Sequence, residues 1–258
     1  MDTGMKQAGV RKQVAETAVI RIRDLNISFG GNHVLRDFNL VLTKGESVVV
    51  LGKSGSGKSV LIKCIVGLLL PDSGSIEVFG SEITELNDEE LDHIRVKIGF
   101  LFQSNALYDS MTVRENLEFP LRRRWINVEQ DEINQMVMEA LTNVGLENTV
   151  DMMPAELSGG MRKRIALART LNLKPEIILY DEPTSGLDPV TGREISDLIV
   201  EIQKKYNTSS LIISHEMNTV RRTANRIVIL IDGKCYADGT FEELSASTDK
   251  EIQPFFSK

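Results

Sequence analysis

The sequence is short of several features that mark particular classes of protein. It holds only two cysteines in 258 residues, Cys64 and Cys235, which lie far apart and form no CxxC pair. We therefore expect free, buried thiols rather than a disulfide or a metal site. Positive charge is not in excess either, because the net charge is −7. This balance argues against a nucleic-acid surface as the main function.

Long apolar stretches are also missing. No run of about 18 apolar residues occurs, so the sequence predicts no membrane-spanning helix. Residues 1–18 are largely polar, without a periodic pattern, and lack the apolar core of a signal peptide. We expect a frayed tail at 1–18 on a chain that stays on the cytosolic side of a membrane.

The clearest motif that is present is GKSGSGKS at 52–59, which matches GxxxxGK[ST] in full. An apolar strand pattern at 47–51 precedes it and a helical pattern at 60–69 follows, which is the context that a phosphate loop needs. Glycines let backbone N–H groups turn towards phosphate oxygens, and the helix N-terminus adds positive potential. A glycine-rich turn without a ligand is the alternative. The candidate nucleotide-binding residues here are Gly52, Lys53, Ser54, Gly55, Ser56, Gly57, Lys58, Ser59 and Val60, with Ser59 placed to hold Mg²⁺.

Periodic patterns divide the rest of the chain into a β-rich start, a helical middle and an alternating end. Two alternating runs at 19–29 and 34–42 predict an antiparallel hairpin beside the phosphate-loop strand. From 104 to about 172 no strand pattern occurs, which predicts an inserted helical subdomain. Further strands are predicted at 75–79, 98–102, 176–182, 209–214, 226–231 and 234–238, and helices at 88–95, 113–121, 131–144, 160–173, 189–206 and from 241.

Polar side chains follow three of the buried strands. Gln103 follows 98–102, where its amide oxygen would reach Mg²⁺ or an attacking water, although a surface amide is the alternative. Asp181 and Glu182 close the strand at 176–182, so Asp181 would approach Mg²⁺ through water and Glu182 would polarise a water. A solvated strand edge is the alternative for this pair. His215 follows 209–214, where a lone histidine is more often structural than catalytic.

Two further segments are candidates for contact with a nucleotide. Phe29 ends the first strand beside two glycines, and it either stacks on a base or packs beneath the hairpin. LSGGM at 157–161 precedes a basic helix, so Ser158 would cap that helix while Gly159 and Gly160 let a phosphate approach its N-terminus. A plain helix start is the commoner use of Ser-Gly-Gly.

These motifs stand together in one order along the chain: Phe29, GKSGSGKS, Gln103, LSGGM, YDE, SGLD and His215. From about residue 19 to 239 the sequence resembles the nucleotide-binding subunit of ABC transporters. The resemblance implies an α/β fold, in which a RecA-like P-loop NTPase core with a parallel sheet carries an antiparallel β subdomain and an inserted α-helical subdomain. It places the ATPase domain at 19–245, its helical subdomain at about 104–172 and a short C-terminal segment at 246–258.

The same resemblance implies which residues take part in hydrolysis and in binding of Mg²⁺ and ATP. It assigns Glu182, His215, Gln103 and Lys58 to hydrolysis and Ser59, Gln103 and Asp181 to Mg²⁺. It assigns Ser158 and Gly160 to the γ-phosphate of ATP held by the phosphate loop of a second copy, so a head-to-tail dimer with two ATP is expected. Gly159 and Asp188 are also assigned to nucleotide binding. The signature has Met161 where Gln is usual. Because that Gln is not a phosphate ligand in the family's scheme, we expect activity to survive.

A narrower resemblance rests on 100–121, on LSGGMRKRIALART and on IQPFF near the end. These segments look like the ATPases of Mla or Mce-associated phospholipid transporters. That likeness implies an integral membrane permease, a periplasmic Mce-domain lipid-binding protein, no nucleic acid, and a place on the cytoplasmic face of the bacterial inner membrane. Because the sequence ends at Lys258, we expect it to lack the longer C-terminal arm with which some members clasp the neighbouring ATPase.

Other interpretations remain open at this stage. An ABC ATPase for amino acids, metal ions or lipoproteins would carry the same motifs. A chromosome-maintenance ATPase would need long coiled coils between Gln103 and Ser158, and no heptads fit there. A translation-associated ATPase normally fuses two cassettes, and a P-loop kinase needs no LSGGM. The basic run Arg122, Arg123 and Arg124 has two interpretations. It contacts lipid headgroups or an acidic loop of the permease, or it is a solvated helix face.

Overall fold

A computed structural model of the chain describes residues 17–122 and 129–257. The expected tail at 1–18 lies outside the described residues except for its last two positions. Arg123 and Arg124 also lie outside them. In the described ranges no helix has both the length and the apolar character needed to cross a bilayer.

The described residues contain ten strands in two sheets. A four-stranded antiparallel sheet has the order β2-β1-β4-β5, and a six-stranded sheet has the order β10-β9-β3-β8-β7-β6. In the second sheet β9, β3, β8, β7 and β6 run parallel, and only β10 is antiparallel to its neighbour. The strands are β1 Ala18–Phe29, β2 Asn32–Thr43, β3 Ser47–Leu51, β4 Ser73–Val78, β5 Ser81–Glu82, β6 Ile98–Leu101, β7 Ile177–Asp181, β8 Ser209–Ser214, β9 Arg226–Ile231 and β10 Lys234–Gly239.

Helices pack against both faces of the six-stranded sheet. Between β6 and β7 the described residues form helices and loops, as the helical middle of the sequence predicts. The α-helices are α1 Lys58–Ile65, α2 Asp88–Val96, α3 Val113–Glu118, α4 Gln130–Val144, α5 Gly159–Leu171, α6 Pro189–Tyr206, α7 Met217–Thr223, α8 Phe241–Ser245 and α9 Gln253–Phe256. Short 3-10 helices lie at Phe119–Arg122, Glu147–Thr149 and Pro154–Glu156.

Burial explains why the central strands read as continuous apolar runs. All residues of β3 and β8 are buried, which is typical of parallel strands covered on both faces. On one face, the core includes α3, α4, α5 and α6. On the other, it includes α1 and the four-stranded sheet. The sheet is thereby fixed between two apolar layers, and its strand ends define the site.

Two predictions about elements need correction. The β1–β2 hairpin exists, but it belongs to the four-stranded sheet, and β3 pairs instead with β8 and β9. The helix predicted at 60–69 is α1, which begins two residues earlier and ends at Ile65. It stops there because Gly67 adopts a left-handed φ of 67° and the N–H groups of Leu68 and Leu69 both turn back to the Lys63 carbonyl.

Both cysteines are free thiols, as predicted. Cys64 lies on the buried face of α1, whereas Cys235 in β10 is only half-buried. Burial raises the pKa of the Cys64 thiol to about 11, so this sulfur stays protonated and unreactive near neutral pH.

Candidate functional site

The carboxyl ends of four parallel strands meet at one edge of the six-stranded sheet. β3 leads into the phosphate loop, β6 into Gln103, β7 into Glu182 and β8 into His215. This edge is where ligands bind in open α/β sheets. A cavity of about 790 Å³ lies there. The predicted site residues that line it are Gly52, Lys53, Ser54, Gly55, Gly57, Lys58, Ser59, Val60, Gln103, Glu182 and His215.

The loop at 52–59 is shaped to accept an anion. Gly57 precedes α1 with a φ of 104°, and no side chain caps the first turn, so the helix N-terminus opens towards the loop. Gly52 has no room for a side chain, because a Cβ there would lie 2.7 Å from Ser56 Oγ. That hydroxyl is buried and has no hydrogen-bond partner. An unpaired buried hydroxyl and an uncapped helix start both fit a bound phosphate.

Lys58 brings a buried positive charge to the loop. Its side chain is 6% exposed, and Nζ donates to the carbonyls of Gly52 at 2.8 Å and Lys53 at 3.0 Å. Burial lowers the pKa of Lys58 below its ordinary value of 10.5, while Glu182 and Asp181 oppose this shift. The ammonium is thus held in place by the loop's own carbonyls, beside the space that a phosphate would fill.

Two oxygen ligands suitable for Mg²⁺, Ser59 and Asp181, are in contact at the end of the phosphate loop. Ser59 Oγ donates to Asp181 Oδ1 at 3.1 Å, and burial raises the pKa of Asp181 while that hydrogen bond and three lysines oppose the rise. Gln103 lies on the cavity wall with its amide nitrogen 3.5 Å from Ser185 Oγ. Within residues 17–122 and 129–257 no three His, Cys, Asp or Glu side chains cluster as a metal cage. This donor set fits Mg²⁺, which binds through one or two protein oxygens plus substrate phosphates.

Glu182 and His215 form a pair at the adjoining strand ends. Both carboxylate oxygens of Glu182 lie 2.9 Å from His215 Nδ1. Glu182 is 8% exposed, and its Oε1 lies 3.9 Å from the ammonium of Lys58. A carboxylate so oriented can accept a proton from a water in the cavity.

The LSGGM segment lies elsewhere on the molecule. Ser158 caps α5 by accepting a hydrogen bond from the Met161 N–H at 3.2 Å. A Cβ on Gly160 would come within 2.6 Å of the Thr191 methyl group, so close packing against α6 also requires glycine there. Asp188 caps α6 through the N–H groups of Val190 and Thr191, and the hydroxyl and N–H of Thr191 hold the pKa of this carboxyl below its ordinary value.

Seven predicted site residues do not line the cavity: Phe29, Ser56, Ser158, Gly159, Gly160, Asp181 and Asp188. Two of them adjoin it, because Ser56 belongs to the phosphate loop and Asp181 accepts a hydrogen bond from Ser59. Phe29 is 47% exposed at the end of β1 and is therefore not packed beneath the hairpin. The LSGGM segment and Asp188 are neighbours of each other, since a Cβ on Gly159 would lie 3.9 Å from the Leu187 side chain. Within one chain, the structure does not bring this group to the phosphate loop.

Four residues near the site were not predicted from the sequence. Val34 of β2 and Pro254 and Phe255 of α9 line the cavity. Pro254 and Phe255 lie in the IQPFF segment, which entered the sequence analysis only as a family resemblance and not as part of the site. Lys163 is 2% exposed in α5, and burial lowers its pKa to about 8 while Asp181 opposes this. Its signal in the sequence was its position on the apolar side of the helix, one turn before Ala166 and Leu167.

Comparison with protein families gives one match over more than half of the chain. A family model described as ABC transporter matches residues 35–185. Among curated proteins, the chloroplastic protein trigalactosyldiacylglycerol 3 of Arabidopsis thaliana is 38% identical, covering 92% of this chain and 73% of that protein. The intermembrane phospholipid transport system ATP-binding protein MlaF of Haemophilus influenzae is 36% identical, covering 92% and 89%.

Relatives named for other cargo are equally similar. The probable ribonucleotide transport ATP-binding protein mkl of Mycobacterium tuberculosis is 41% identical over 92% of this chain. The methionine import ATP-binding protein MetN of Rhizobium etli is 37% identical over 94% of this chain. The chain spans 66% of the length of each of these two proteins.

Solved structures share the fold. An ATP-binding cassette determined as a dimer in a post-hydrolysis state with ADP and Pi superposes with a TM-score of 0.78 at 32% identity, covering 86% of this chain and 98% of that one. The cbiO1 protein of Clostridium perfringens, part of the ABC transporter complex cbiONQ, gives 0.82 at 30% identity, covering 90% and 92%. The predicted fold class is confirmed.

Proposed function

The chain belongs to the ABC transporter family and is an ATP-binding, ATP-hydrolysing protein, and from this we propose that its hydrolysis drives phospholipid transport in a bacterial envelope. The observation that supports phospholipid as the cargo is the similarity to MlaF, which extends over nearly the whole of both chains. A second candidate, transport of another small molecule, is favoured by the similarity to MetN and mkl. The site chemistry is the same for either cargo.

ATP binding falls to the phosphate loop and its surroundings. Lys58 and the uncapped start of α1 supply positive charge to the phosphates. Ser59, Gln103 and Asp181 are the proposed Mg²⁺ ligands, and the ion supplies neutralisation of charge on the phosphate oxygens when bound. Phe29 is exposed and free to stack on the adenine.

The hydrolytic step is assigned to the pair at the ends of β7 and β8. Glu182 accepts a proton from the attacking water, and His215 orients that carboxylate through its Nδ1 contacts. His215 also lines the cavity, where it would sense the terminal phosphate. The Glu182–His215 contact therefore links the water site to the phosphate site.

The working unit is proposed to be a head-to-tail dimer. Ser158, Gly159, Gly160 and Asp188 lie outside the cavity of their own chain, so they are available to ATP held by a second copy. To shift a dimer from about 1:99 closed to 99:1, ATP must favour the closed form by roughly 5.5 kcal/mol. Charge-assisted contacts to ATP at two composite sites are sufficient to supply this free energy. Release of phosphate removes them and reopens the dimer.

The proposed permease contact is a second cavity, of about 450 Å³, between α2, α5 and the segment that follows Gln103. Its lining includes large apolar side chains that remain exposed, namely Leu68, Phe102, Tyr108 and Phe119. A cytoplasmic helix of an integral membrane permease fits such a groove. We place this contact on the cytoplasmic face of the inner membrane, with a periplasmic Mce-domain lipid-binding protein as the partner beyond the permease. Residues about 104–172 then act as the helical subdomain of the domain at 19–245.

The basic run at 122–124 has a smaller part in this proposal. Arg122 donates to Glu118 Oε2 at 2.5 and 3.1 Å, so its charge is already compensated within the chain. A contact of this run with lipid headgroups or a permease loop would rest on the two arginines outside the described residues. Charge reversal of all three arginines tests it, since co-purification with the permease should fall while ATP binding is kept.

The composite site is tested by mixing two inactive variants. Lys58→Ala removes the phosphate-loop cation, and Ser158→Arg blocks the opposite face. A heterodimer of the two variants has one site with both defects and one intact site, so mixing them should restore ATP hydrolysis that neither variant shows alone. Absence of any restored hydrolysis would show that each site is built within one chain.

The cargo is tested by the partners that assemble with the chain in membranes. Affinity purification from detergent-extracted membranes, followed by mass spectrometry, should recover a permease and an Mce-domain protein. A soluble amino-acid or ribonucleotide receptor in their place would overturn the lipid proposal. The ATPase assignment would stand in that case.

A further inference from the structure

A lysine is buried in α5 on the side that faces Gln103. Lys163 lies one and a half turns into the helix that begins at LSGGM, and its Nζ donates to the backbone carbonyl of Gln103 at 3.0 Å. Its neighbour Arg162 is exposed and Arg164 is half-buried. Of the three successive basic residues, Lys163 is thus the one turned towards the nucleotide site.

A second cation of α5 binds the next part of the same segment. Arg169 donates to the carbonyls of Asn105 at 3.0 Å and Ala106 at 2.7 Å. These two residues have φ values of 64° and 51°, in a left-handed region that non-glycine residues occupy only when their surroundings fix them. Helix α5 therefore holds three backbone carbonyls between positions 103 and 106.

The side chain of Gln103 points the other way, into the cavity. Its amide nitrogen lies 3.5 Å from Ser185 Oγ, in the loop that follows Glu182. Lys163 is close enough to Asp181 for that carboxylate to act on its charge. The backbone position of Gln103 thus determines how far its amide reaches towards the oxygens of Ser59 and Asp181.

Stability alone does not account for a lysine at this position. In the described part of the chain no carboxylate oxygen lies within 4.0 Å of its ammonium, so no ion pair offsets its burial. Among residues 17–122 and 129–257, its side chain has one hydrogen bond, to the Gln103 carbonyl. Burial of a charge without an ion-pair partner costs free energy, so an apolar side chain of similar volume would serve packing at least as well.

We propose that Lys163 is a positioning residue for hydrolysis, which fixes Gln103 relative to Asp181 and so ties the helix that begins at Ser158 to the Mg²⁺ side of the site. The inference rests on the role proposed above for Gln103. Lys163 acts through the Gln103 carbonyl and touches neither ATP nor the attacking water. When a second copy closes onto Ser158, Lys163 on the same helix connects that contact to Gln103 in the cavity of its own chain.

The test is a double-mutant cycle in the full chain. Lys163→Met should lower kcat roughly 10- to 100-fold, the scale of a small misplacement of a catalytic group, and raise the Mg²⁺ concentration needed for half-maximal hydrolysis. The temperature of unfolding should be unchanged or higher. Lys163→Arg should recover part of the rate, and Lys204→Met, at an exposed lysine of α6, should match the unmodified chain.

The decisive comparison is with Gln103→Ala. Once the Gln103 side chain is gone there is nothing left to position, so Lys163→Met combined with Gln103→Ala should be no slower than Gln103→Ala alone. Multiplied effects in the double variant would overturn the inference. So would a Lys163→Met chain with reduced stability and normal kcat; if this variant does not fold, Lys163→Gln takes its place.

The same cycle separates this inference from the proposal on which it rests. A normal rate in Gln103→Ala would remove the role of Gln103, and with it the role of Lys163. A slow Gln103→Ala beside a normal Lys163→Met would leave Gln103 in place and refute only the positioning role.

Discussion

Glu182 is held from three sides at the end of β7. Its N–H donates to the Ile213 carbonyl at 3.0 Å, His215 contacts both carboxylate oxygens, and Lys58 lies 3.9 Å away. Its φ of 49° is left-handed, which costs of order 1–3 kcal/mol for a non-glycine residue. These contacts offset that cost and keep the carboxylate directed at the cavity.

Replacement of Glu182 by Gln should separate binding from hydrolysis. The amide has the same shape but cannot accept the proton of the water, so ATP hydrolysis should fall by about 10²–10⁴. ATP affinity should stay close to normal because Lys58 and the phosphate loop are unchanged. Phosphate release and binding of a fluorescent ATP analogue measure the two effects. Glu176→Gln, at an exposed residue just before the same strand, is the matched control, and a normal rate in Glu182→Gln would refute the assignment.

How much of the site the sequence predicts depends on how local each residue's role is. The phosphate loop was recognisable because phosphate binding needs glycines and a lysine at fixed spacing in one continuous segment. Lys163 was not, since a lysine in a basic helix becomes informative only when its burial and its partner Gln103 are known. Phe255 lies more than 190 residues beyond the loop that it approaches, and no local pattern connects the two.

At the scale of elements, periodicity predicted the strands but not their sheets. The alternation in β1 and β2 correctly indicated a hairpin with one buried face. It does not say which strand lies on the other side of β1, and in the structure this is β4, which pairs Ile20 with Val78 and Ile22 with Ile76. That choice depends on side chains brought together from distant parts of the chain, such as the core shared with α1.

An ion pair between elements gives a prediction about stability. Arg226 of β9 donates to Glu46 Oε1 at 2.6 Å, just before β3, and Thr43 also donates to Glu46. Burial alone raises the pKa of Glu46, but Arg226 and Thr43 lower it below its ordinary value of 4.5. A group whose pKa is lower in the folded state adds stability above its unfolded pKa, and loses it as pH falls through the folded pKa.

Glu46→Gln should therefore lower the free energy of unfolding by about 1–3 kcal/mol at pH 7. The difference from the unmodified chain should narrow as pH falls below about 4.5, because the unfolded chain then binds a proton at Glu46 that the native carboxylate, with its lower pKa, does not yet bind. Urea denaturation across this pH range measures both quantities. Glu77→Gln, which breaks a more exposed pair with Arg23, should cost at most about 1 kcal/mol. An equal loss in the two variants would contradict the special position of Glu46.

The apolar groove beside α5 gives a prediction about assembly. Phe119 and Tyr108 are each 43% exposed and their ring centroids lie 4.8 Å apart, so they form one apolar surface. Phe119→Asp should reduce recovery of the permease from membranes while the isolated chain keeps its ATPase rate. Met138→Asp changes an exposed apolar residue of α4 outside the groove and serves as the control. Equal permease recovery from both variants would place the contact elsewhere.

At the scale of the whole molecule, one chain carries both halves of the proposed site on different surfaces. The phosphate loop, Glu182 and His215 share one cavity, while Ser158, Gly160 and Asp188 do not line it. Motif order in the sequence cannot tell whether such halves meet within a chain or between two chains. The resemblance alone predicted a dimer, and the geometry supports it because the second half lies outside its own cavity.

Because the two proposed sites are identical, they should contribute about equally to closure. Glu182→Gln with Mg²⁺ and ATP should sediment as a dimer at twice 28.8 kDa, and Glu182→Gln with Ser158→Arg should remain a monomer. A heterodimer of these two variants keeps one intact site and therefore about half of the roughly 5.5 kcal/mol that a full shift requires. It should then be about half closed, as measured by a distance probe between the two chains. Full closure with one intact site would mean that ATP at a single site is sufficient.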